Sequence, residues 1–372
     1  MAPDSMRHGV ICRLPHEPYG YFGWPSVARQ ADGTLVVASS GLRAAHVCPW
    51  GKTVLHISRD NGLTWSDARV IQNSPIDDRD AGVISLDGQR LLVSWFTSDT
   101  RIFKPEQLQN ALGPERFARY RTETAAWTDE VVFAHLGSWT RTSPDGQSWS
   151  DPVPAPVMAP HGPIRLADGR LFYLGKAVSH GETFHKKQHN GPIRAAISRD
   201  EGLSWQILGD IPLPAGTEEA NFHEPHVAAM PSGRLVGQIR YQHSANCRNH
   251  DPFTIFQTES ADGGITWTEA RPTGAPGSPP HLLRHSSGAL VSVFGHRQPP
   301  FGQQAMVSRD EGRSWSAPIV LRSDGPDSDL GYPASVELDD TSIFTVYYQK
   351  AAAGENASLL WTRWNLHGDA HG

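Results

Sequence analysis

The sequence predicts an all-β fold, a six-bladed β-propeller with a four-stranded antiparallel sheet in each blade. Three observations predict it. Two families of turn segments recur along the chain, apolar strand-like runs flank them, and the 372 residues hold six modules of roughly 50 to 60 residues. Two hairpins in each module supply the four strands of a blade. We expect residues 1–372 to form a single propeller domain, with a short helical insertion near 103–120.

The first family of segments has the pattern Ser-x-Asp-x-Gly-x-Ser/Thr-Trp, and one of its five copies is a residue shorter. Asp and the hydroxyl groups can bond nearby backbone, Gly adopts positive φ, and Trp packs where the next strand begins. Each copy follows a strand-like run, so the pattern predicts a turn between two strands of one blade. The copies are residues 58–65, 143–149, 198–205, 260–267 and 308–315.

The second family is a strand, a short turn and another strand, and it occurs six times. The last module lacks the first kind of turn. Its third strand is predicted at 359–362, and residues 9–12 are predicted to return and close the ring. The six turns are Asp32-Gly33, Asp87-Gly88, Asp168-Gly169, Ser232-Gly233, Ser287-Gly288 and the weaker Asp339-Asp340.

The segment between Thr97 and Glu130 does not fit the module. Residues 105–112 and 114–120 lack the alternation of a strand and predict helices. Two interpretations are open: a solvated excursion from the edge of a blade, or a lid or rim over a site.

Composition excludes several classes of protein. Lys and Arg total 33 against 39 Asp and Glu, a formal net charge of −6, which favours neither nucleic acid nor a membrane surface as partner. No apolar run is long enough to span a membrane. The first eight residues lack the apolar core of a secretory signal, and three widely spaced cysteines do not suggest a disulfide framework. We therefore expect a cytoplasmic protein.

Propeller topology brings particular chain segments together. The first strand of each blade lines the central channel, and its entry end lies on the same face as the loop between strands two and three. Polar and ionisable side chains at these ends predict an active-site mouth. Strand-one entries contribute Trp24, Asp78, Arg79, Asp80, His161, His223, Glu224, His226, His281 and Tyr332, and the ends of second strands and the loops after them add Arg43, His46, Lys176, His180, Arg240, His243, His296 and Arg297.

The Ser-x-Asp-x-Gly turns resemble Asp-boxes, and over nearly its whole length the chain resembles a divergent member of the sialidase (BNR/Asp-box repeat) superfamily. His223-Glu224-Pro225-His226, with Arg240 at the end of the next strand, resembles the family's pattern, as does 329–332. The resemblance implies that Tyr332 is a nucleophile activated by Glu224. This suits the chemistry, because a phenol with a pKa of about 10 needs a base to attack.

The substrate implied by the resemblance is a terminal, acidic sugar of an oligosaccharide or polysaccharide. Arg240 and Arg297 would bind its anionic group through planar donor forks, and Arg79 is a further candidate unless the neighbouring aspartates neutralise it. The remaining candidates for substrate contact are His161, His226, His281 and Trp24.

Two positions depart from the family pattern. Where the family has a substrate-binding Arg, this chain has 22–25, Phe-Gly-Trp-Pro, and the loop 43–52 lacks the family's acid/base Asp. His46 in that loop, or an Asp of the 77–80 cluster such as Asp80, would then transfer the proton.

Three functions remain open on the sequence. The first is a sialidase-like glycosidase. The second is a polysaccharide lyase acting on a uronate, such as a rhamnose–glucuronate linkage, with His and Tyr transferring protons and Arg neutralising the carboxylate. The third is a non-catalytic glycan-binding propeller with Trp24, Trp50 and Trp95 as stacking surfaces.

No cofactor is expected. Two histidine-containing runs leave Zn²⁺ or Ca²⁺ open, although neither has a recognised zinc spacing. They are His180–His185–His189 and His243–Cys247–His250.

Overall fold

Six antiparallel sheets arranged around a channel form a β-propeller in the computed structural model, which describes residues 6–182, 191–243 and 253–366. The predicted six blades of four strands are confirmed. Blades one to three consist of Tyr21–Arg29, Leu35–Arg43, Lys52–Ser58 and Arg69–Gln72; Asp77–Ser85, Leu91–Ser98, Ser138–Ser143 and Val153–Pro154; and Val157–Met158 with Ile164–Arg165, Leu171–Ala177, Ile193–Ser198 and Gln206–Asp210. Blades four to six consist of Phe222–Ala229, Leu235–Gln242, Phe253–Ser260 and Arg271–Pro272; Pro280–Arg284, Leu290–His296, Gly302–Ser308 and Ile319–Arg322; and Gly331–Glu337, Ile343–Lys350, Ala357–Trp364 and Arg7–Cys12.

The N-terminal strand closes the ring. Arg7–Cys12 pairs antiparallel with Ala357–Trp364, with Val10 opposite Leu360, so the outermost strand of blade six comes from the other end of the chain. The predicted return of residues 9–12 is confirmed. This pairing joins the two ends of the chain within one blade and thereby holds the ring closed.

The inner strand of blade three is split. Met158 pairs with Lys176 at one end of the second strand, and Ile164 pairs with Phe172 towards the other end. The residues between the two short strands include His161. This interruption was not predicted from the sequence.

The repeated Ser-x-Asp-x-Gly segments form the predicted turns between third and fourth strands. In the first copy, Asp60 Oδ1 accepts a hydrogen bond from the Thr64 N–H at 2.9 Å, and Ser58 Oγ accepts one from the Gly62 N–H at 2.9 Å. Gly62 has φ of 84°, which glycine adopts without steric cost. The turns therefore lie at the blade ends opposite the loops between strands two and three.

Blades pack on one another through apolar side chains from their facing sheets. Between blades one and six, for example, Phe22, Val37, Phe344 and Val346 are fully buried. Burying each such side chain stabilises the fold by about 1.5 to 3 kcal/mol. This packing holds the blades, and so their inner strands, in fixed positions around the channel.

A helical insertion lies between the second and third strands of blade two. Its helices are α1 (Pro105–Leu112), α2 (Pro114–Thr124) and α3 (Asp129–His135), after a 3₁₀ turn at Thr100–Ile102. The predicted insertion near 103–120 is thus confirmed but extends to residue 135. Among the described residues, no helix is long and apolar enough to cross a membrane.

Candidate active site

Four inner strands present their site residues in the same way. Trp24, Asp80, Glu224 and Tyr332 have φ of 54°, 47°, 47° and 51°, and each lies where the pairing of the first strand with the second shifts register. A non-glycine residue in this region costs of order 1–3 kcal/mol. A bulge turns a side chain out of the regular alternation of a strand. Blades one, two, four and six therefore use one backbone arrangement to form the centre of the mouth.

Tyr332, Glu224 and Arg240 form a closed hydrogen-bonded triangle. The Tyr332 hydroxyl donates to Glu224 Oε1 at 2.5 Å, and Arg240 Nη1 donates to Glu224 Oε2 at 2.6 Å and to the Tyr332 oxygen at 2.9 Å. Blade six thus supplies the phenol, and blade four supplies the carboxylate and the guanidinium. The contact expected from the family resemblance between Tyr332 and Glu224 is present.

The triangle holds a protonated phenol beside an ionised carboxylate. Burial and the charge of Glu224 raise the pKa of Tyr332 well above its ordinary value, although Arg240 opposes them. Burial also acts to raise the pKa of Glu224, but the Arg240 charge and the bond from Tyr332 outweigh it and lower the pKa. Glu224 is therefore the group that can accept the Tyr332 proton.

Two guanidinium groups beside the triangle are weakly paired. Arg297 lies with Cζ 5.5 Å from the centroid of the Tyr332 ring, and its buried Nε and Nη2 atoms have no hydrogen-bond partner among the described residues. Arg79 lies 4.4 Å from the Trp24 ring and 3.7 Å from Asp77, a carboxylate that is already engaged by Arg43. Such groups favour an anionic ligand.

The acidic cluster at 77–80 divides into two structural residues and one site residue. Asp77 receives two hydrogen bonds from Arg43, at 2.6 and 2.9 Å, and Asp78 accepts the Ser74 N–H at 2.6 Å. Asp80 lines a cavity with Glu224, and its buried Oδ1 has no hydrogen-bond partner among the residues that the structure describes. Burial, with repulsion from Glu224, raises the pKa of Asp80 to about 7.

His46 belongs to a second polar group at the mouth. Its Nδ1 lies 2.9 Å from Asp329 Oδ1, and the hydroxyls of Tyr21 and Tyr348 donate to the same carboxylate at 3.0 and 3.1 Å. Burial opposes these bonds, yet they lower the pKa of Asp329 to about 2. Partial removal from water lowers the pKa of His46 despite its bond to Asp329. The arrangement leaves His46 neutral near pH 7, with Nδ1 as the nitrogen that contacts the carboxylate.

Arg43 holds the loop that carries His46. Its guanidinium is fully buried and donates to the carbonyl oxygen of His46 at 3.1 Å as well as to Asp77. Gly51 makes room for this pair, because a Cβ there would lie 1.9 Å from Arg43 Nη1 and 2.2 Å from Asp77 Oδ1.

The helical insertion covers the same loop from outside. Leu108, Leu112 and Tyr120 pack against Ala44 and Cys48. A polar contact on the same side joins Trp50 Nε1 to Glu123 Oε2 at 2.6 Å. Of the two interpretations of the insertion, these contacts favour a rim of the mouth over a free excursion.

Trp24 lies beneath the mouth. Its side chain is 1% exposed and is flanked by the guanidiniums of Arg43 and Arg79, at 4.8 and 4.4 Å from its ring. Tyr332 and Tyr348 lie 6.3 and 5.9 Å from it, centroid to centroid. Trp24 therefore packs against the residues of the mouth and does not present an open aromatic face to a substrate.

His161, His226 and His281 are brought together, but in the channel and away from the triangle. The rings of His226 and His281 stack at 4.2 Å, and His161 lies 5.0 Å from His281. They line a cavity of about 850 Å³ with the far ends of the inner strands. Within the described structure no hydrogen bond joins them to Tyr332 or Glu224.

The channel histidines are not arranged as metal ligands. His226 Nδ1 accepts the Leu282 N–H at 3.0 Å, and the stacked rings of His226 and His281 cannot both point at one ion. Across residues 6–182, 191–243 and 253–366, no group of three or more His, Cys, Asp or Glu could hold a metal ion. His185, His189, Cys247 and His250 of the runs considered above lie outside the described residues.

Sequence reasoning did not assign roles to several residues of the site. The sequence pattern singles out Asp329 only as part of the segment 329–332 and does not indicate a role for Tyr21 or Tyr348. Tyr21 begins the first strand of blade one, Tyr348 lies near the end of the second strand of blade six, and Asp329 lies just before the first strand of blade six. Closure of the ring brings the three together. Their positions near the ends of strands at the mouth are the feature of the sequence that could have identified them as site residues.

Comparison with known proteins places the chain in a family. The BNR repeat-like domain model matches residues 117–345, more than half of the chain, so the chain belongs to that family. The prediction that the chain is a divergent member of the BNR-repeat superfamily is thereby confirmed. Among curated proteins, no sequence matches this chain.

Solved structures share the fold at low sequence identity. A protein of unknown function from Dyadobacter fermentans is 22% identical, with a TM-score of 0.74, covering 98% of this chain and 100% of that one. The intramolecular trans-sialidase from Ruminococcus gnavus is 15% identical (TM-score 0.62; 96% and 97% covered), and the α-L-arabinanase from Penicillium chrysogenum is 13% identical (TM-score 0.56; 95% and 98% covered). At these identities the likeness establishes the propeller fold alone.

Proposed function

We propose that this protein is a glycoside hydrolase that cleaves a terminal, acidic sugar from a glycan. The observation that carries the proposal is the triangle of Tyr332, Glu224 and Arg240, in which a buried phenol donates a hydrogen bond to a carboxylate at 2.5 Å. A phenol held in this way becomes nucleophilic only as the proton moves to the base. The enzymes of known activity among the structural neighbours, sialidases and an arabinanase, are consistent with a carbohydrate substrate.

In the first step, the Tyr332 oxygen bonds to the anomeric carbon while Glu224 takes the phenolic proton. The glycosidic bond breaks, and Asp80 gives its proton to the leaving oxygen. A carboxyl group with a pKa of about 7 is suited to this role, because about half of it is still protonated at pH 7 and most of it below that pH.

In the second step, a water molecule attacks the anomeric carbon and gives a proton to the Asp80 carboxylate. The bond from Tyr332 to the sugar breaks, and Glu224 returns the proton to the phenolate. Both carboxyl groups regain their starting protonation states, so the cycle balances.

The acidic character of the substrate is inferred from Arg297 and Arg79. Arg240 is engaged by Glu224, Tyr332 and Gln242, whereas Arg297 retains unpartnered donors beside Tyr332. A neutral nucleophile also approaches an anionic sugar without the charge repulsion that a carboxylate nucleophile meets. Arg297 is therefore the proposed clamp for the substrate's anionic group.

A polysaccharide lyase is the second candidate, and the His46–Asp329 pair favours it. A neutral His with Nδ1 bound to a carboxylate presents Nε2 as a base. In a lyase this base would remove the proton beside a uronate carboxylate, the glycosidic bond would break, and Tyr332 or Asp80 would protonate the leaving oxygen. No covalent sugar–enzyme bond forms in that route.

A non-catalytic glycan-binding propeller has less support. Trp24 and Trp95 are 1% and 2% exposed, so neither offers a free stacking surface. The ring of Trp50 is covered by Arg119 of the insertion, whose Cζ lies 5.0 Å from the ring centroid.

A screen of acidic and neutral oligosaccharides with two readouts tests these proposals. New reducing ends without ultraviolet absorbance indicate hydrolysis, and the absorbance of an unsaturated uronate indicates a lyase. The hydrolase proposal predicts reducing ends from acidic substrates only. Activity that does not depend on Tyr332, or binding without cleavage, would overturn it.

A further inference from the structure

A buried lysine faces the cavity beside Glu224. The cavity, of about 310 Å³, lies between blades two, three and four and has Phe96, Met158 and Pro160 in its apolar wall. Lys176 also lines it, at the end of the second strand of blade three, and is 2% exposed. The sequence placed Lys176 at the mouth face without giving it a role.

The ammonium of Lys176 is bound only by neutral oxygens. Its Nζ donates to the carbonyl oxygens of Glu219 and Phe222, both at 2.6 Å. Within the described residues it has no carboxylate within ion-pair distance. An ammonium has three donors, so one N–H remains for a ligand in the cavity.

The carboxylates near the ammonium offset its charge only in part. Glu219 and Glu224 both act to raise the pKa of Lys176, but burial outweighs them and lowers it. Glu224 is neutralised by Arg240 at 2.6 Å, and Asp80, with a pKa of about 7, is largely uncharged at slightly acidic pH. Burial lowers the pKa of His223 to about 4, so that ring is neutral too. A buried cation without a directly paired carboxylate is costly, which favours an anionic occupant of the cavity.

We infer that Lys176 forms an oxyanion subsite, separate from Arg297, that binds a carboxylate or sulfate group carried by the glycan. The two carbonyl acceptors fix the ammonium, and because Lys176 lines the cavity, its remaining N–H would be the donor to the bound anion. The apolar wall excludes water and strengthens the interaction. This inference rests on the proposed function only in taking the cavity as part of the glycan site.

Sulfate and glucuronate binding, measured by calorimetry at constant ionic strength, test the subsite without any turnover. Burial lowers the pKa of Lys176 to about 8, so sulfate affinity should fall at least about tenfold between pH 7 and pH 9, a range in which Asp80 also becomes ionised. Lys176→Met should weaken sulfate binding at least about tenfold at pH 7. Lys176→Arg should retain binding at pH 9, because a guanidinium stays charged there. Glucose, matched to glucuronate but uncharged, should bind equally to the wild type and Lys176→Met.

Two controls separate the outcomes. Lys104→Met removes an exposed lysine of the insertion and should leave sulfate binding unchanged, and Arg297→Ala should leave the Lys176-dependent part in place. Equal sulfate affinity in wild type and Lys176→Met, or in wild type at pH 7 and pH 9, would overturn the subsite. If Lys176→Met does not fold, the pH comparison and Lys176→Arg decide. Lys176-dependent binding with no cleavage of any glycan would count against the proposed function alone.

Discussion

The hydroxyl of Tyr332 and the carboxylate of Glu224, 108 residues apart in the chain, share a hydrogen bond of 2.5 Å. Both residues have positive φ at a bulge in an inner strand, one in blade six and the other in blade four. The ring thus brings together a phenol and a carboxylate that no local motif contains. The predictions below follow from this pair and from the groups that surround it.

Tyr332 and Glu224 should behave as one unit. The phenol attacks only as the carboxylate takes its proton, so Tyr332→Phe and Glu224→Gln should each lower kcat by orders of magnitude. The double variant should be little worse than either single one. Steady-state kinetics on the substrate found by the screen measure this. Independent, multiplicative losses would show that the two residues act in different steps.

Arg297 should determine affinity for acidic sugars. Arg297→Ala removes a charge-assisted bond of roughly 1.5–3 kcal/mol, so KM should rise about 10- to 150-fold with an acidic substrate. A neutral analogue should be affected much less. Comparing the two substrates gives the matched control. An equal loss on both would argue that Arg297 supports the Tyr332 ring and does not bind an anion.

Asp80 should set the alkaline limb of the pH profile. Its pKa is raised to about 7 by burial, and the acid must be protonated to assist the leaving group. Activity should therefore be present below pH 7 and fall as pH rises through about 7. Asp80→Asn should lose roughly 10²- to 10⁴-fold in kcat and abolish this limb. A substrate with a leaving group that needs no proton should restore much of the rate. If the limb persists in Asp80→Asn, another group is the acid.

The buried histidines should make the fold sensitive to acid. They are His56 and the three channel histidines, His161, His226 and His281. Burial lowers the pKa of His56 to about 4 and that of His226 to about 3, below the ordinary value of 6.5. The unfolded chain takes up protons below pH 6.5 that the folded chain does not. Stability should therefore be full above about pH 6.5 and be lost as pH falls, by about 3 kcal/mol at pH 4 from His56 alone.

Urea unfolding at several pH values tests this with two variants. His56→Leu should flatten the acid side of the stability curve, because no imidazole is left to protonate. His16→Gln, at an exposed position, should leave the curve unchanged. An unchanged slope in His56→Leu would mean that His56 is not neutral in the fold.

Gly51 should be required for the loop that carries His46. A methyl group there would collide with Arg43 and Asp77, whose pairing is fully buried. Gly51→Ala should lower the free energy of unfolding by about 3 to 5 kcal/mol or displace the loop. A displaced loop should move the His46 resonances in NMR spectra, because the His46 ring would lose its bond to Asp329. A stable variant with unchanged His46 signals would contradict this role of Arg43.

The repeats in the sequence were sufficient to predict the blades, because each repeat is a local hairpin with its own turn chemistry. The contact of Tyr332 with Glu224 is expected from the family resemblance, and both residues occupy equivalent points in their first strands. Arg240 lies near the end of a second strand, which the topology predicts on the same face. The roles of Asp77 and Asp80 were not distinguishable from the sequence. They lie three residues apart, and only the tertiary structure pairs one with Arg43 and leaves the other in a cavity.

The His46–Asp329 pair was missed for a different reason. It forms between a loop of blade one and a loop of blade six, at the point where the ring closes, and no repeat relates the two segments. The sequence predicts that the channel histidines contact the substrate, because it places them at the entry ends of first strands. The split inner strand of blade three, which the sequence did not reveal, places His161 in the channel cluster.

The most direct test of the proposed mechanism is mass spectrometry of the protein after reaction with a fluorinated substrate that slows the second step. The hydrolase predicts a covalent adduct of one sugar residue, mapped by peptide digestion to Tyr332 and absent from Tyr332→Phe. Turnover to an unsaturated uronate without any adduct, abolished by His46→Ala but not by Glu224→Gln, would contradict it and assign the protein as a lyase.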